Sequence, residues 1–91
     1  MLLRVEFFGI ARQRAGVPHV ELELPGRETT FAESLRQLAS RLPEFGRECV
    51  ANGRLQAALA ANLGGERFVS DPALVIREGQ SLLILSADAG G

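Results

Sequence analysis

The strongest structural signal in the chain is the segment TFAESLRQLASRLP, residues 30–43. Its apolar side chains recur at the three- and four-residue spacing of a helix: Phe31, Leu35, Leu38 and Leu42. Thr30 and Glu33 match a capping box, in which a hydroxyl and a carboxylate satisfy free amides of the first turn. Pro43 ends the pattern, because the residue before a proline is pushed out of the helical region. The sequence therefore predicts one amphipathic helix that can lie across a sheet.

Two segments of alternating polarity precede this helix. Residues 2–8 and 19–24 place apolar and charged side chains on opposite faces, which is typical of strands. Pro25-Gly26 ends the second segment with turn residues. Residues 9–16 are bounded by glycines and form either a short helix or an ordered loop. We therefore predict two antiparallel strands in the first thirty residues.

The second half of the chain has weaker patterns. Residues 43–54 are predicted to be irregular, whereas residues 55–65 are rich in alanine with leucines at helical spacing, so local propensity favours a helix there. Phe68-Val69 is predicted to form a short edge strand. Residues 82–85 are continuously apolar, which predicts a central strand covered on both faces. The order of elements predicts an α+β layer pair.

Composition excludes several classes of function. The chain has 91 residues, of which 46% are hydrophobic, so one domain can form a core without metal or disulfides. With 10 basic and 11 acidic residues, it has no charge pattern for binding nucleic acid or an anionic membrane. It contains no lysine for a Schiff base or a Walker-type phosphate loop. No apolar run approaches the roughly 20 residues that cross a bilayer, and we expect a cytoplasmic location.

The individual reactive side chains give little indication of a catalytic or metal-binding site. His19 and Cys49 are the only residues of their types, and neither has a catalytic or metal-ligating partner at motif spacing. Glu48 beside the cysteine is expected to raise the thiol pKa, which disfavours the reactive thiolate. Arg12 and Arg14 are interpreted as a solvated face. The side chains therefore predict no active site of the chain's own.

The ending Gly90-Gly91 is the remaining candidate. With average glycine usage, two final glycines arise by chance in about 1% of chains or fewer. The pair follows the predicted central strand after a four-residue spacer, and glycine allows another backbone or ligand to approach closely. A partner enzyme could draw such a tail into a narrow channel and reach its carboxylate. A frayed end is the alternative interpretation.

The ordered set of these segments resembles the MoaD/ThiS family of sulfur carriers, which share the β-grasp fold of ubiquitin. The segments that carry the resemblance span the chain: 5–9, 11–16, the capped helix with Leu35 and Leu38, Asn62, 77–80, 82–85 and Gly90-Gly91. The family usually has Gly-Asp where this chain has Gly79-Gln80.

The resemblance implies a ubiquitin-like β-grasp fold of the α+β class. Its mixed sheet of four to five strands packs on one main helix. Residues 1–85 would form the domain and residues 86–91 a flexible C-terminal tail. The resemblance also implies a strand at about residues 56–61, against the local helical propensity.

The resemblance further implies a mechanism at Gly91. An ATP-dependent activating enzyme adenylates the terminal glycine, and delivered sulfur converts it to a thiocarboxylate. The residues before it, Asp88, Ala89 and Gly90, would insert into a partner enzyme. In the MoaD branch that partner is the large subunit of molybdopterin synthase, so the first hypothesis is a small subunit in molybdenum cofactor biosynthesis. The chain itself would bind no cofactor or metal, and catalysis would belong to its partners.

Other functions stay open. The chain could carry sulfur for cysteine, thiamine, tRNA thiolation or a secondary metabolite, and residues 43–55 look like those of cysteine-pathway carriers. Many family members have a proline-containing tail, whereas residues 86–89 here lack proline. A ubiquitin-like modifier that forms isopeptide bonds through Gly91 and an inert β-grasp interaction module are two further alternatives.

Overall fold

The computed structural model describes residues 1–88. Three helices and nine short strands follow one another in these residues: β1 Leu2–Phe7, α1 Ile10–Ala15, β2 His19–Glu23, β3 Glu28–Thr30, α2 Phe31–Arg41, α3 Pro43–Cys49, β4 Val50–Ala51, β5 Arg54–Leu55, β6 Leu59–Leu63, β7 Arg67–Val69, β8 Val75–Arg77 and β9 Ser81–Ser86. None of these helices is long and apolar enough to span a membrane.

The main sheet has five strands in the order β2-β1-β9-β6-β7. β1 pairs antiparallel with β2, as predicted, and parallel with β9. β6 pairs antiparallel with both β9 and β7. The sheet is therefore mixed, and the strand nearest the end of the chain lies at its centre. Two further ribbons, β3 with β8 and β4 with β5, lie outside this sheet.

The helices pack on one face of the sheet. The residues of that face, of the helices and of β8 form a single apolar cluster, whose largest side chains are fully buried: Phe7, Phe45, Leu3, Leu35, Leu38, Ile76, Leu82 and Ile84. Phe7 of β1 contacts Phe45 of α3 edge to face, with ring centroids 5.3 Å apart. This contact marks the helical side of the sheet.

The predicted capping box forms only in part. Thr30 Oγ1 accepts a hydrogen bond from the Glu33 backbone N–H at 3.1 Å, as predicted. The Glu33 carboxylate does not return to Thr30, because it accepts hydrogen bonds from Gln37 at 2.9 Å and Arg36 at 3.1 Å. The bond from Gln37 is the main cause that holds the pKa of Glu33 below its usual value, and Arg36 adds to it.

The prediction of irregular structure in residues 43–54 is wrong. Pro43 ends α2 and also begins α3, because proline is well suited to a first helical position, where its missing N–H is not needed. α3 packs so closely on α2 that a Cβ at Gly46 would lie 2.5 Å from Ala39 Cβ. β4 and β5 then form a hairpin, whose turn residues Asn52 and Gly53 both have positive φ.

Residues 59–63 form strand β6 rather than a helix. The strand that the resemblance implies at about residues 56–61 is therefore present, but it starts later and extends to residue 63. Its side chains alternate, with Leu59, Ala61 and Leu63 buried in the core. The pairing of β6 with β7 and β9 on its two sides outweighs the helical propensity of the alanines. The edge strand predicted at Phe68-Val69 is confirmed as β7.

Strand β9 is central, as predicted, but it is not covered on both faces. Leu82 and Ile84 are 0% exposed, whereas the intervening Leu83 and Leu85 are partly exposed. Helices cover one face only, so the other face of the sheet stays open within residues 1–88.

Candidate functional site

The predicted tail begins at the end of the central strand. β9 ends at Ser86, and the next residue, Ala87, donates its backbone N–H to the Ala58 carbonyl at 2.9 Å. Asp88 follows in an exposed turn. We call residues 86–88 the tail root. The other three predicted site residues, Ala89, Gly90 and Gly91, lie outside the described residues.

An apolar strip borders the tail root on the open face of the sheet. Strand pairing sets Asn62 opposite both Leu83 and Phe68, and sets Ala60 opposite Leu85, so these side chains share one face. Phe8 continues β1 beside them, with its N–H bonded to the Ile84 carbonyl. We define the apolar strip by five residues: Phe8, Ala60, Phe68, Leu83 and Leu85.

Two aromatic rings of the strip are unusually open to solvent. Phe68 is 54% exposed and Phe8 is 46% exposed, although such rings are normally among the more buried side chains. Exposed apolar patches of this kind mark interaction surfaces. The sequence does not reveal the strip, because the continuous apolar run of residues 82–85 predicts a strand covered on both faces.

The other half of the open face is charged. Arg4 of β1 contacts Glu6 at 3.1 Å and Glu21 of β2 at 3.8 Å, and all three side chains are partly or largely exposed. His19 is exposed and lies opposite Glu6 in the β1–β2 pair. The open face is therefore divided into a charged half on β1 and β2 and an apolar half near the tail root.

A cleft of 430 Å³ lies next to the tail root. Its lining is mostly apolar and includes Ala87 of the tail root and Phe68 of the apolar strip. Leu55 and Arg54 of β5 form part of its wall, and Arg54 is the one charged residue among the described residues that line it. The tail root, the apolar strip and the cleft are contiguous and form the candidate site.

The remaining sequence candidates do not join this site. Cys49 is 1% exposed, and burial raises the pKa of its thiol, with Glu48 adding to the rise and Arg14 opposing it. The rise in pKa disfavours the reactive thiolate, as predicted, and the thiol is buried. Arg14 forms an exposed ion pair of 3.7 Å with Glu48. Among residues 1–88, no cluster of His, Cys, Asp or Glu is arranged to hold a metal ion.

Comparison with known proteins identifies similar structures only. No protein-family model matches the sequence, and no curated protein does. The crystal structure of SAMP1 from Haloferax volcanii is similar over 100% of both chains, with a TM-score of 0.77 and 20% identity.

Two other solved structures are similar at nearly full length. A protein named as molybdopterin converting factor subunit 1 from Pyrococcus furiosus is covered to 97% by 94% of this chain, with a TM-score of 0.75 and 23% identity. A chain of the BexX/CysO complex of Amycolatopsis orientalis is covered to 99% by 98% of this chain, with a TM-score of 0.71 and 24% identity. The chain therefore has the ubiquitin-like β-grasp fold of these proteins, and at the level of fold its resemblance to MoaD/ThiS-like sulfur carriers is confirmed.

Proposed function

We propose that this chain is a sulfur carrier whose Gly91 carboxylate is activated and converted to a thiocarboxylate by partner enzymes. The observation that carries the proposal is the position of the tail root. The tail follows the central strand directly, so its base belongs to the most strongly paired part of the sheet. The diglycine after it can enter a channel too narrow for larger side chains.

The chemistry requires a partner, because a carboxylate is a poor electrophile. A carboxylate oxygen of Gly91 attacks the α-phosphate of ATP, and pyrophosphate leaves. Hydrosulfide then attacks the carbonyl carbon of the acyl adenylate. The new C–S bond replaces the C–O bond to AMP, which leaves, and loss of the thiol proton gives the thiocarboxylate. No net oxidation occurs, and the need for ATP fits a cytoplasmic location.

The apolar strip supports docking of the activating enzyme. Phe8 and Phe68 lie beside the tail root, so an enzyme that receives the tail meets these rings at the same time. Aromatic side chains in such positions often supply much of the binding free energy. The charged half of the face, with Arg4 and Glu21, would form the polar rim.

For the recipient of the sulfur, we propose molybdopterin synthesis. The Pyrococcus furiosus structure is named as a subunit of the molybdopterin converting factor and has the same fold over nearly the whole chain. The recipient enzyme would be the large subunit of molybdopterin synthase, with Asp88, Ala89 and Gly90 drawn into it ahead of the thiocarboxylate. The CysO-containing complex supports a cysteine-pathway carrier as the alternative.

Intact mass spectrometry tests the carrier function. We expect the chain to gain the mass of one sulfur in place of one oxygen after incubation with ATP, an activating enzyme and sulfide. Deletion of Gly91 should abolish the gain, and His19→Ala on the charged half should retain it. An unchanged mass with several activating enzymes that charge their own carriers would refute the proposal.

A modifier function is the second candidate, because SAMP1 of Haloferax volcanii, described for that organism as a small archaeal modifier protein, has the same fold. A modifier would form an isopeptide bond between Gly91 and a lysine of another protein. The chain has no lysine, so it cannot form lysine-linked chains with its own copies. Conjugates of higher mass in the same incubation, after addition of cell protein, would identify this function.

A further inference from the structure

The tail root is tied to the start of helix α1 by a side-chain hydrogen bond. The backbone N–H of Ile10 donates to Ser86 Oγ at 3.3 Å, which joins positions 76 residues apart in the sequence. The first amides of a helix need acceptors, and Gly9 at the N-cap position has no side chain to supply one. Ser86 therefore supplies the capping acceptor from the last strand of the sheet.

Gly9 allows this contact in two ways. Its φ of 57° and ψ of −129° lie in a region that other residues rarely adopt. A Cβ at this position would also lie 3.0 Å from Ser86 Oγ, which is tighter than nine in ten real Cβ contacts. The backbone of the β1–α1 turn is thus shaped to let Ser86 approach it.

The end of β9 is held from both sides. On the β1 side, the Phe8 N–H donates to the Ile84 carbonyl at 2.9 Å, and the Ser86 hydroxyl follows. On the β6 side, the Ala87 N–H donates to the Ala58 carbonyl at 2.9 Å. Residues 88–91 lead from Ala87 to the Gly91 carboxylate, and four residues span at most about 14 Å when extended.

We propose that Ser86 is a positioning residue, which fixes the point and direction at which the tail leaves the domain. The proposal rests on the proposed function, since it concerns delivery of Gly91 to the activating enzyme. A fixed root lowers the conformational entropy that is lost when the tail enters a channel. It also requires the reacting phosphate of the enzyme to lie within about 14 Å of Ala87 when the domain is docked.

The test compares Ser86→Ala with Ser86→Thr, which keeps a hydroxyl, and with Ser81→Ala as the matched control. Ser81 lies at the other end of the same strand, and its hydroxyl forms no hydrogen bond within residues 1–88. We expect Ser86→Ala to raise the KM of the carrier in ATP-dependent pyrophosphate release about two- to tenfold, with kcat nearly unchanged. Ser86→Thr and Ser81→Ala should retain the KM of the original chain.

Amide hydrogen exchange tests the contact without any enzyme. In Ser86→Ala the amides of Ile10 and Ala87 should exchange about threefold faster or more, while core amides such as that of Val5 stay unchanged. Unchanged exchange at Ile10 and Ala87 would show that the hydrogen bond of Ser86 does not hold the tail root. Faster exchange with an unchanged KM would refute the positioning role.

The two tests also separate this inference from the carrier proposal. If no activating enzyme accepts the original chain, the carrier function fails, and delivery of Gly91 by Ser86 fails with it. The exchange rates of Ile10 and Ala87 still decide whether Ser86 holds the tail root. A general loss of stability in Ser86→Ala would instead accelerate exchange throughout the sheet, and that outcome would count against a local positioning role.

Discussion

The two faces of strand β9 carry side chains of nearly the same type in very different surroundings. Leu82 and Ile84 are fully buried under the helices, whereas Leu83 and Leu85 lie partly exposed on the open face. Burial of the first pair stabilises the fold. The second pair contributes less to folding and, together with Phe8 and Phe68, leaves an apolar surface beside the tail root. A continuous apolar run can therefore serve folding on one face and binding on the other.

The largest expected effect is on stability, and it comes from a substitution on the buried face of β9. Ile84→Ala should lower the free energy of unfolding by about 2–5 kcal/mol, because it removes buried methyl groups and leaves a cavity. Leu85→Ala, one residue further on the same strand, should cost about 1 kcal/mol or less, because its side chain is already partly in water. Urea unfolding of both variants measures the difference. Equal losses would show that the open face is covered in solution.

The next effect concerns binding through the open face. Phe68→Asp should weaken binding to the activating enzyme about tenfold or more, because it places a charge in the apolar strip. Its effect on stability should stay small, since the ring is 54% exposed. Val75→Asp is the matched control, because Val75 is an exposed apolar residue of β8, outside the strip. Titration calorimetry measures both affinities, and equal weakening would refute a role for the strip.

The buried residue Cys49 is expected to make the stability of the fold depend on pH. Burial raises the pKa of its thiol, so the folded chain keeps this proton after the unfolded chain, with a thiol pKa of about 8.5, has lost it. Unfolding then releases protons, and this contribution to stability is fully present below about pH 8.5 and is lost as the pH rises further.

Cys49→Ala should remove this loss of stability between neutral pH and about pH 9.5, because the variant has no thiol at this position. Urea unfolding of both proteins at the two pH values gives the free energy of unfolding. The change in this free energy with pH is compared between the proteins, rather than their absolute stabilities. An equally steep loss in Cys49→Ala would assign the effect to another group.

The smallest effect is expected on the charged half of the open face. Arg4→Ala removes contacts with Glu6 and Glu21, yet exposed ion pairs contribute little in water. We expect a change of less than about 0.5 kcal/mol in stability and less than about twofold in binding to the activating enzyme. A large loss of binding would indicate that the enzyme docks on the charged half of the open face rather than on the apolar half.

The sequence predicts the elements with a clear period, and also the strands at Phe68-Val69 and residues 82–85. Its local patterns do not predict β6 or α3. The helix that begins at Phe31 and the strands at residues 2–7 and 19–23 have regular patterns that agree with their local propensities. Residues 59–63 required the family resemblance, because their alanines favour a helix and only neighbouring strands make them a strand. The helix after Pro43 was missed, although proline at a first helical position is a known start signal.

The sequence indicates the tail but not the surface beside its root. The diglycine is visible in the sequence, but the apolar strip depends on which face of residues 82–85 the helices leave open. A continuous apolar run contains no alternation to reveal that face. The Ser86–Ile10 contact joins distant parts of the chain and has no local signal.

The central position of β9 also bears on the order of folding. β1 and β6 remain unpaired along one edge each until β9 inserts between them, so the sheet closes only after nearly the whole domain has been synthesised. Such distant pairing slows folding, and an incomplete chain exposes two strand edges that favour aggregation. The tail is thus attached to the strand that completes the sheet. An enzyme that recognises both tail and open face would select finished domains over nascent or truncated ones.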